Sequence, residues 1–250
     1  MQTNVAILIP AYEPDEKLVE LITRLRRDFV HLVLVDDGSV KEGARKVFER
    51  IRGDVDVLLV HEVNRGKGAA LRTGIAWVRN HLPEVRAVVT ADSDGQHTSK
   101  DIIHVAEAAV DYPDGLVLGV REFTGTVPFR SRFGNIWTRI LFWLITGLPV
   151  RDTQTGLRAI PRGLFDRMLA IAGDRYEYEI RMLVVARRHA AKPLQLTIET
   201  IYINDNRASH FRPLHDTVLT QWALFSARFL GLGLPKNTGA AHSVTGRKGN

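Results

Sequence analysis

Cysteine is absent from all 250 residues, which removes disulfide cross-links, thiolate catalysis and cysteine-ligated metal together. Long apolar runs are missing too. The most apolar stretch, residues 136–148, is broken by Thr138 and Arg139 and falls short of the ~20 residues that a membrane-spanning helix needs. No internal repeat or low-complexity tract occurs, so a solenoid or an array is excluded. Two phosphate-binding fingerprints fail. No Gly-x4-Gly-Lys-Ser/Thr sequence exists, and Asn64-Arg65-Gly66-Lys67-Gly68 has Leu71 where a dinucleotide loop has its third glycine. The N-terminus, Met1-Gln2-Thr3-Asn4, lacks the basic-then-apolar pattern of a secretory signal. We therefore expect a cytosolic chain, and a reducing cytoplasm suits the missing cysteine.

What is present is ordinary for a globular protein: 45% hydrophobic and 25% charged residues, which argues against disorder. Lys and Arg number 34 against 28 Asp and Glu, a formal charge of +6. The excess favours anionic partners, whether nucleotides, lipid phosphates, an anionic leaflet or nucleic acid, without choosing among them. The length suits one α/β domain over residues 1–232 with an elaborated C-terminal third, followed by a Gly-, Ser- and Lys-rich tail over 233–250 that reads as disordered.

Short apolar runs alternate with amphipathic helical patterns through the first half, the mark of βα units and a mostly parallel sheet with helices on both faces. The predicted strands are Val5-Ala6-Ile7-Leu8-Ile9, Leu32-Val33-Leu34-Val35, Val57-Leu58-Leu59-Val60, Ala87-Val88-Val89-Thr90 and Leu116-Val117-Leu118-Gly119. Helices are predicted over 15–28, 41–52, 68–81 and 100–111. Beyond Arg121 the pattern loosens into an apolar helix over 135–148, a loop at 151–156, helices over 162–171 and 177–189, a strand over 194–202 and a helix over 216–230.

Ligands of open parallel sheets sit beyond the C-terminal ends of the strands, so the residues following each run are the candidates. The first run leads into Pro10-Ala11-Tyr12-Glu13, the second into Asp36-Asp37-Gly38-Ser39, the third into Asn64-Arg65-Gly66-Lys67-Gly68, and the fourth into Asp92-Ser93-Asp94-Gly95-Gln96-His97. Two carboxylates one residue apart on a turn can share one hard divalent cation, with water and diphosphate completing its shell. Asp92 and Asp94 have that form and follow their strand. Asp54 and Asp56 have the same spacing but precede theirs, at the opposite edge. For Asp36 a helix-capping reading competes with a functional one, whereas Asp37 is assigned to the nucleotide. Tyr12 and Glu13 read as base and ribose contacts or as loop filler. The basic turn at 64–68 reads either as a cradle for anions at a helix start or as a tight turn with a solvated face.

Together these segments resemble the family 2 glycosyltransferases of GT-A (Rossmann-like) fold, the group that includes dolichyl-phosphate mannose and polyprenyl-phosphate glucose synthases. The likeness rests on Val35-Asp36-Asp37-Gly38-Ser39, on the Asp-x-Asp motif of Asp92-Ser93-Asp94, on Asn64-Arg65-Gly66-Lys67-Gly68 and on Asp152-Thr153-Gln154-Thr155-Gly156-Leu157-Arg158. It covers roughly residues 4–230. Residues 128–135 and Tyr176-Glu177-Tyr178-Glu179 resemble the branch often fused to a small GtrA-like membrane domain, which this sequence lacks; a separate small membrane protein is the partner this implies. The resemblance implies that Pro10, Tyr12, Glu13 and Asp37 hold the nucleoside, with Lys67 and Ser93 also at the nucleotide sugar. It implies that Asp92, Asp94 and Gln96 bind Mg2+ or Mn2+ or its diphosphate. Arg121 would meet the donor or acceptor phosphate, Arg130 or Arg132 the lipid phosphate, and Arg207 the diphosphate. His210 stands where the family usually has Lys.

The expected reaction moves a sugar from a UDP- or GDP-sugar to a polyprenyl or dolichyl phosphate with inversion, at the inner face of the cell membrane. A divalent ion and arginines would stabilise the departing diphosphate. A phosphate acceptor, with a second pKa near ~6, needs no general base, whereas a glycan hydroxyl would want one; the arginines favour the phosphate. The apolar helix, with Trp137 and Trp143 beside Arg130, Arg132 and Arg139, reads as lying in the headgroup plane, or else as core or dimer packing. Rival readings are a non-catalytic nucleotide-sugar-binding subunit, a nucleotidyltransferase, which wants a glycine- and arginine-rich loop after the first strand, and a processive synthase, which wants Gln-x-x-Arg-Trp. Nucleic acid is not an expected partner.

Overall fold

The computed structural model describes residues 2–121, 142–144, 146–189 and 191–199. The helix expected over 216–230, the tail, and most of the helix expected over 135–148 lie outside them. The strands are β1 (Gln2–Ala11), β2 (Phe29–Asp36), β3 (Val57–Val60), β4 (Ala87–Thr90), β5 (Gly115–Arg121), β6 (Arg158–Pro161) and β7 (Ala191–Ile198). The helices are α1 (Glu16–Leu25), α2 (Glu42–Ile51), α3 (Lys67–His81), α4 (Ser99–Asp111), α5 (Phe165–Leu169) and α6 (Glu177–His189).

The strands form one sheet in the order β3-β2-β1-β4-β6-β5-β7. All pairings are parallel except those of β6, which runs antiparallel to both β4 and β5. Alternation of side chains explains the continuous apolar runs. On one face Val5, Ile7, Ile9, Leu32 and Leu34 pack on Leu18, Ile22 and Leu25 of α1, Val47 of α2 and Ile102 and Val105 of α4. On the other, Ala6, Leu8, Val33 and Val35 pack on Ala70, Leu71 and Ile75 of α3 and Met182 and Leu183 of α6. In α1, Leu18, Leu21, Ile22 and Leu25 are the buried stripe, and Asp15 caps the helix by accepting from Lys17 N at 3.0 Å.

The structure departs from the sequence expectation between 158 and 171. A strand, β6, stands where no element was expected, because four residues buried on both faces carry no alternation to reveal them. The helix expected over 162–171 is a 3-10 turn, Arg162–Leu164, leading into the short α5. Arg162 drives that break: its guanidinium donates to the carbonyls of Arg79, Leu82 and Val85 at 3.0–3.1 Å, closing the C-terminal end of α3.

Leu8 is fully buried between β1 and α3. Leu8→Ala is expected to cost about 2–5 kcal/mol through the cavity it leaves, read as a lowered urea midpoint with an unchanged m-value.

Candidate active site

Register carries the candidate residues to one edge. Ala11 pairs with Asp36, Leu8 with Thr90 and Asp36 with Val60, so the segments after β1, β2, β3 and β4 leave the sheet on the same side. Because β6 is reversed, its first residue, Arg158, pairs with Thr90 and Leu118. That reversal brings residues 152–157 and the end of β5 to the same edge. Asp54 and Asp56 lie at the other end, where Asp56 accepts from Leu32 N at 2.7 Å and from Arg26 at 3.3 Å, a structural role.

The crevice wall is built by internal carboxylates. Glu13, at φ 51, donates its N–H to Ser39 Oγ at 2.9 Å and accepts from Val40 N and Lys41 N at 2.9 and 3.2 Å. It thus caps α2, whose own Lys41 provides no side-chain cap. Asp36 accepts from Ser39 N at 2.9 Å, a bond within the loop that precedes α2 and not a cap of that helix. Asp37, 3% exposed, accepts from Arg65 N at 2.9 Å and Gly66 N at 2.7 Å. The same carboxylate lies 2.7 Å from His61 Nδ1, whose Nε2 meets Thr73 Oγ1 at 3.0 Å. The carboxylates of Glu13 and Asp37, expected to reach a nucleoside, are therefore engaged inside the protein, because the loops they join have backbone N–H groups to satisfy. Tyr12 is half-buried beside them, and Pro10 is buried in β1.

At the centre stands Asp92. Lys67 Nζ lies 2.7 Å from its Oδ1, and His97 Nε2 lies 3.3 Å from its Oδ2. Lys67 also reaches Glu179 Oε1 at 3.0 Å. Burial alone would push the Asp92 carboxyl up, but Lys67 and then His97 outweigh it and hold the group well below the usual carboxylate range. Burial likewise pulls Lys67 down, and Asp92 and Glu179 overcome this to raise it. Asp94 behaves oppositely: burial first, then the charge of Asp92, raises its carboxyl. Its Oδ1 accepts from Gln96 N at 3.0 Å, closing a turn over Gly95 directly after Ser93.

Among the described residues no group of three or more His, Asp or Glu side chains encloses a metal. Two mutually repelling carboxylates on one turn nonetheless match the donor set of Mg2+ or Mn2+ sites completed by water and phosphate. Asp92 and Asp94 fit such a cation in that form, since a divalent charge relieves the repulsion that raises Asp94.

The 152–157 segment braces Asp92 from the β6 side. Arg158, fully buried, donates to Thr155 O at 2.8 Å, Thr153 O at 3.1 Å and Glu179 O. Thr90 Oγ1 donates to Gly156 O at 2.8 Å. A Cβ on Gly156 would stand 2.2 Å from Asp92 Oδ2, so the chain passes at a distance only glycine permits. Next to Lys67, Gly66 at φ 100 packs against the Asp174 carbonyl. Arg121, at the end of β5, donates from Nε to Asp152 Oδ2 at 2.7 Å, and Asp152 is fully buried. Of the expected phosphate contacts, Arg121 is at this edge; Arg130, Arg132, Arg207 and His210 lie outside the described residues.

Residues 6–170 match the family described as Glycosyl transferase family 2. The chain belongs to that family. Its members are glycosyltransferases, and this family 2 chain is an enzyme of that class. It is 26% identical over 217 residues to the UDP-N-acetylglucosamine–dolichyl-phosphate N-acetylglucosaminyltransferase of Methanococcus voltae, covering 78% of this chain and 85% of that protein. It is 31% identical over 178 residues to the undecaprenyl-phosphate 4-deoxy-4-formamido-L-arabinose transferase of Pseudomonas fluorescens, covering 66% of this chain and 49% of that one. Among solved structures, glucosyl-3-phosphoglycerate synthase from Mycobacterium tuberculosis, in complex with Mn2+, UDP and glucosyl-3-phosphoglycerate, superposes with a TM-score of 0.65 at 19% identity, covering 94% of this chain and 82% of that one. That likeness shows the GT-A fold.

Of the residues at this family 2 site, His61 escaped sequence reasoning, and His97, Asp152, Gly156, Arg158 and Glu179 were quoted there only within motifs, without a role. The available signal was polarity out of place. Glu179 sits among Tyr178, Ile180, Met182 and Leu183 on a face that is otherwise apolar, and buried charges are rare unless paired.

Gly156→Ala is expected to lower turnover at least about tenfold by displacing Asp92, with transition-state stabilisation lost accordingly. Steady-state kinetics beside a far-UV spectrum that stays native would check it.

Proposed function

We propose that the protein transfers a sugar from a UDP- or GDP-sugar to a polyprenyl or dolichyl phosphate, with Mg2+ or Mn2+, at the cytoplasmic face of the cell membrane. The observation that carries this reading is the Asp92–Asp94 pair at the sheet edge, with Lys67 bonded to Asp92, Arg121 at the end of β5 on the same edge, and the loops after β1, β2 and β3 beside it. The lipid-phosphate acceptor is supported by the printed names of the Methanococcus and Pseudomonas relatives.

In this reading Asp92 and Asp94, with Gln96, hold the cation against the diphosphate. When bound, the divalent ion neutralises charge on the departing diphosphate. Pro10 and Tyr12 border the nucleoside, and Glu13 and Asp37 shape its pocket through the loops they anchor. Lys67 and Ser93 face the nucleotide sugar. Arg121, oriented by Asp152, presents its guanidinium to a phosphate; Arg130, Arg132, Arg207 and His210 are assigned to the phosphates from the sequence. The acceptor phosphate oxygen bonds to the anomeric carbon as the bond to the diphosphate oxygen breaks, inverting that centre. A dianionic phosphate has no proton to lose, so the step needs no base.

Membrane contact is supported by Trp143 and Leu144, which are 51% and 66% exposed beside the fully buried Phe142; exposed Trp and Leu suit the headgroup boundary. No helix among the described residues is long and apolar enough to cross a bilayer.

Purified protein incubated with a panel of nucleotide sugars, Mg2+ or Mn2+, and a polyprenyl phosphate is expected to release one nucleoside diphosphate only when the lipid is present; no release across the panel overturns the reading. Asp94→Ala is expected to reduce kcat by about 100-fold or more through lost charge stabilisation, while nucleotide binding persists in calorimetry. Trp143→Glu with Leu144→Glu is expected to leave activity on a short, water-soluble acceptor intact and to shift the protein out of the floating fraction with anionic liposomes.

A further inference from the structure

Lys67 opens α3 directly after Gly66, and its ammonium sits between two carboxylates, 2.7 Å from Asp92 Oδ1 and 3.0 Å from Glu179 Oε1. Glu179, in the first turn of α6, is 6% exposed. Its backbone carbonyl is fixed by Arg158, so the side chain projects from a braced point. A carboxylate this buried is costly to maintain unless its charge has a use or a partner, and the partner here is the lysine that also holds Asp92.

Resting on the metal-dependent reading above, we propose that Lys67 and Glu179 form a counter-charge device that sets the affinity of Asp92 and Asp94 for a divalent cation. Lys67 occupies Asp92 when the cation is absent. A divalent ion arriving at Asp92 meets the lysine charge at close range and is repelled by it. Glu179 relieves that conflict: it already bonds Nζ, so Lys67 gives up Asp92 without losing its only anion and without a large side-chain movement. Glu179 is thus a positioning residue, acting on the cation through Lys67, and the two residues push the metal affinity in opposite directions.

That opposition separates the device from a merely structural pair, whose loss on either side would loosen the site. Mn2+ is titrated into the full-length, nucleotide-free protein, with free Mn2+ read by electron paramagnetic resonance and folding checked by thermal melts without metal. Glu179→Gln is expected to raise the Mn2+ Kd by about fivefold to tenfold, because the lysine is left to Asp92 alone. Lys67→Met is expected to lower it by a similar factor, and the double variant to stay within about twofold of Lys67→Met, because Glu179 acts only through the lysine and the two changes are therefore not additive. If Lys67→Met does not fold, Lys67→Gln carries the same expectation, and the sign of the Glu179→Gln shift decides by itself. Weakened binding in both single variants, or no shift in either, overturns the proposal. Wild-type protein that takes up no Mn2+ at millimolar concentration overturns the metal reading of Asp92 and Asp94 and the device with it.

Discussion

The ion pair between Lys67 and Asp92 ties together segments that the chain keeps far apart. Asp92 follows β4, Lys67 begins α3, Glu179 lies on α6, and Arg158 opens β6. Desolvating such charges costs several kcal/mol per ion, and the cost is recovered only where geometry is good and remaining polar atoms are satisfied. Here Asp92 has a cation on one oxygen and an imidazole near the other, and Arg158 spends its donors on three carbonyls. Each element is thereby held at a fixed distance from the others. A crevice whose charges are set before a ligand arrives loses less entropy on binding.

The reversed strand makes this convergence possible. In an all-parallel sheet, the chain entering a strand does so at the edge opposite the ligands. β6 runs the other way, so the residues leading into it, 152–157, arrive on the ligand side. Gly156 then passes against the Asp92 carboxylate, and Asp152 turns Arg121 by its Nε. Without the reversal, neither contact is available to a loop of that length, and Asp92 has nothing to brace it from the β5 side.

Much of this was legible in the sequence, and the limits are physical. The first five strands and four helices showed because apolar runs and 3.6-residue stripes are local signals, and the position of Asp92 and Asp94 after β4 followed from them. β6 was not legible: Arg158-Ala159-Ile160-Pro161 begins with a charge, ends with proline and is buried on both faces. The internal partners of Asp37 were not legible for a related reason. Its neighbourhood was read along the chain, whereas its partners, His61 and the N–H groups of Arg65 and Gly66, come from the loop after the adjacent strand β3. Sequence spacing shows which edge a carboxylate reaches, and not which way it turns once there.

Glu13 and Asp37 satisfy the backbone N–H groups of 40–41 and 65–66 from neighbouring loops, so the loops after β1, β2 and β3 are cross-linked into one wall. Moving any of them exposes N–H groups that then need new partners, at about 1–3 kcal/mol for each group left buried and unpaired. The wall is therefore braced on the side to which the proposed function assigns a base and ribose. The centre is tuned instead by exchange of partners among Lys67, Asp92 and Glu179. A braced wall beside a charge cluster with a spare carboxylate lets the site hold its shape while its local charge changes, the demand that a metal and a departing diphosphate would place on it under the proposed function.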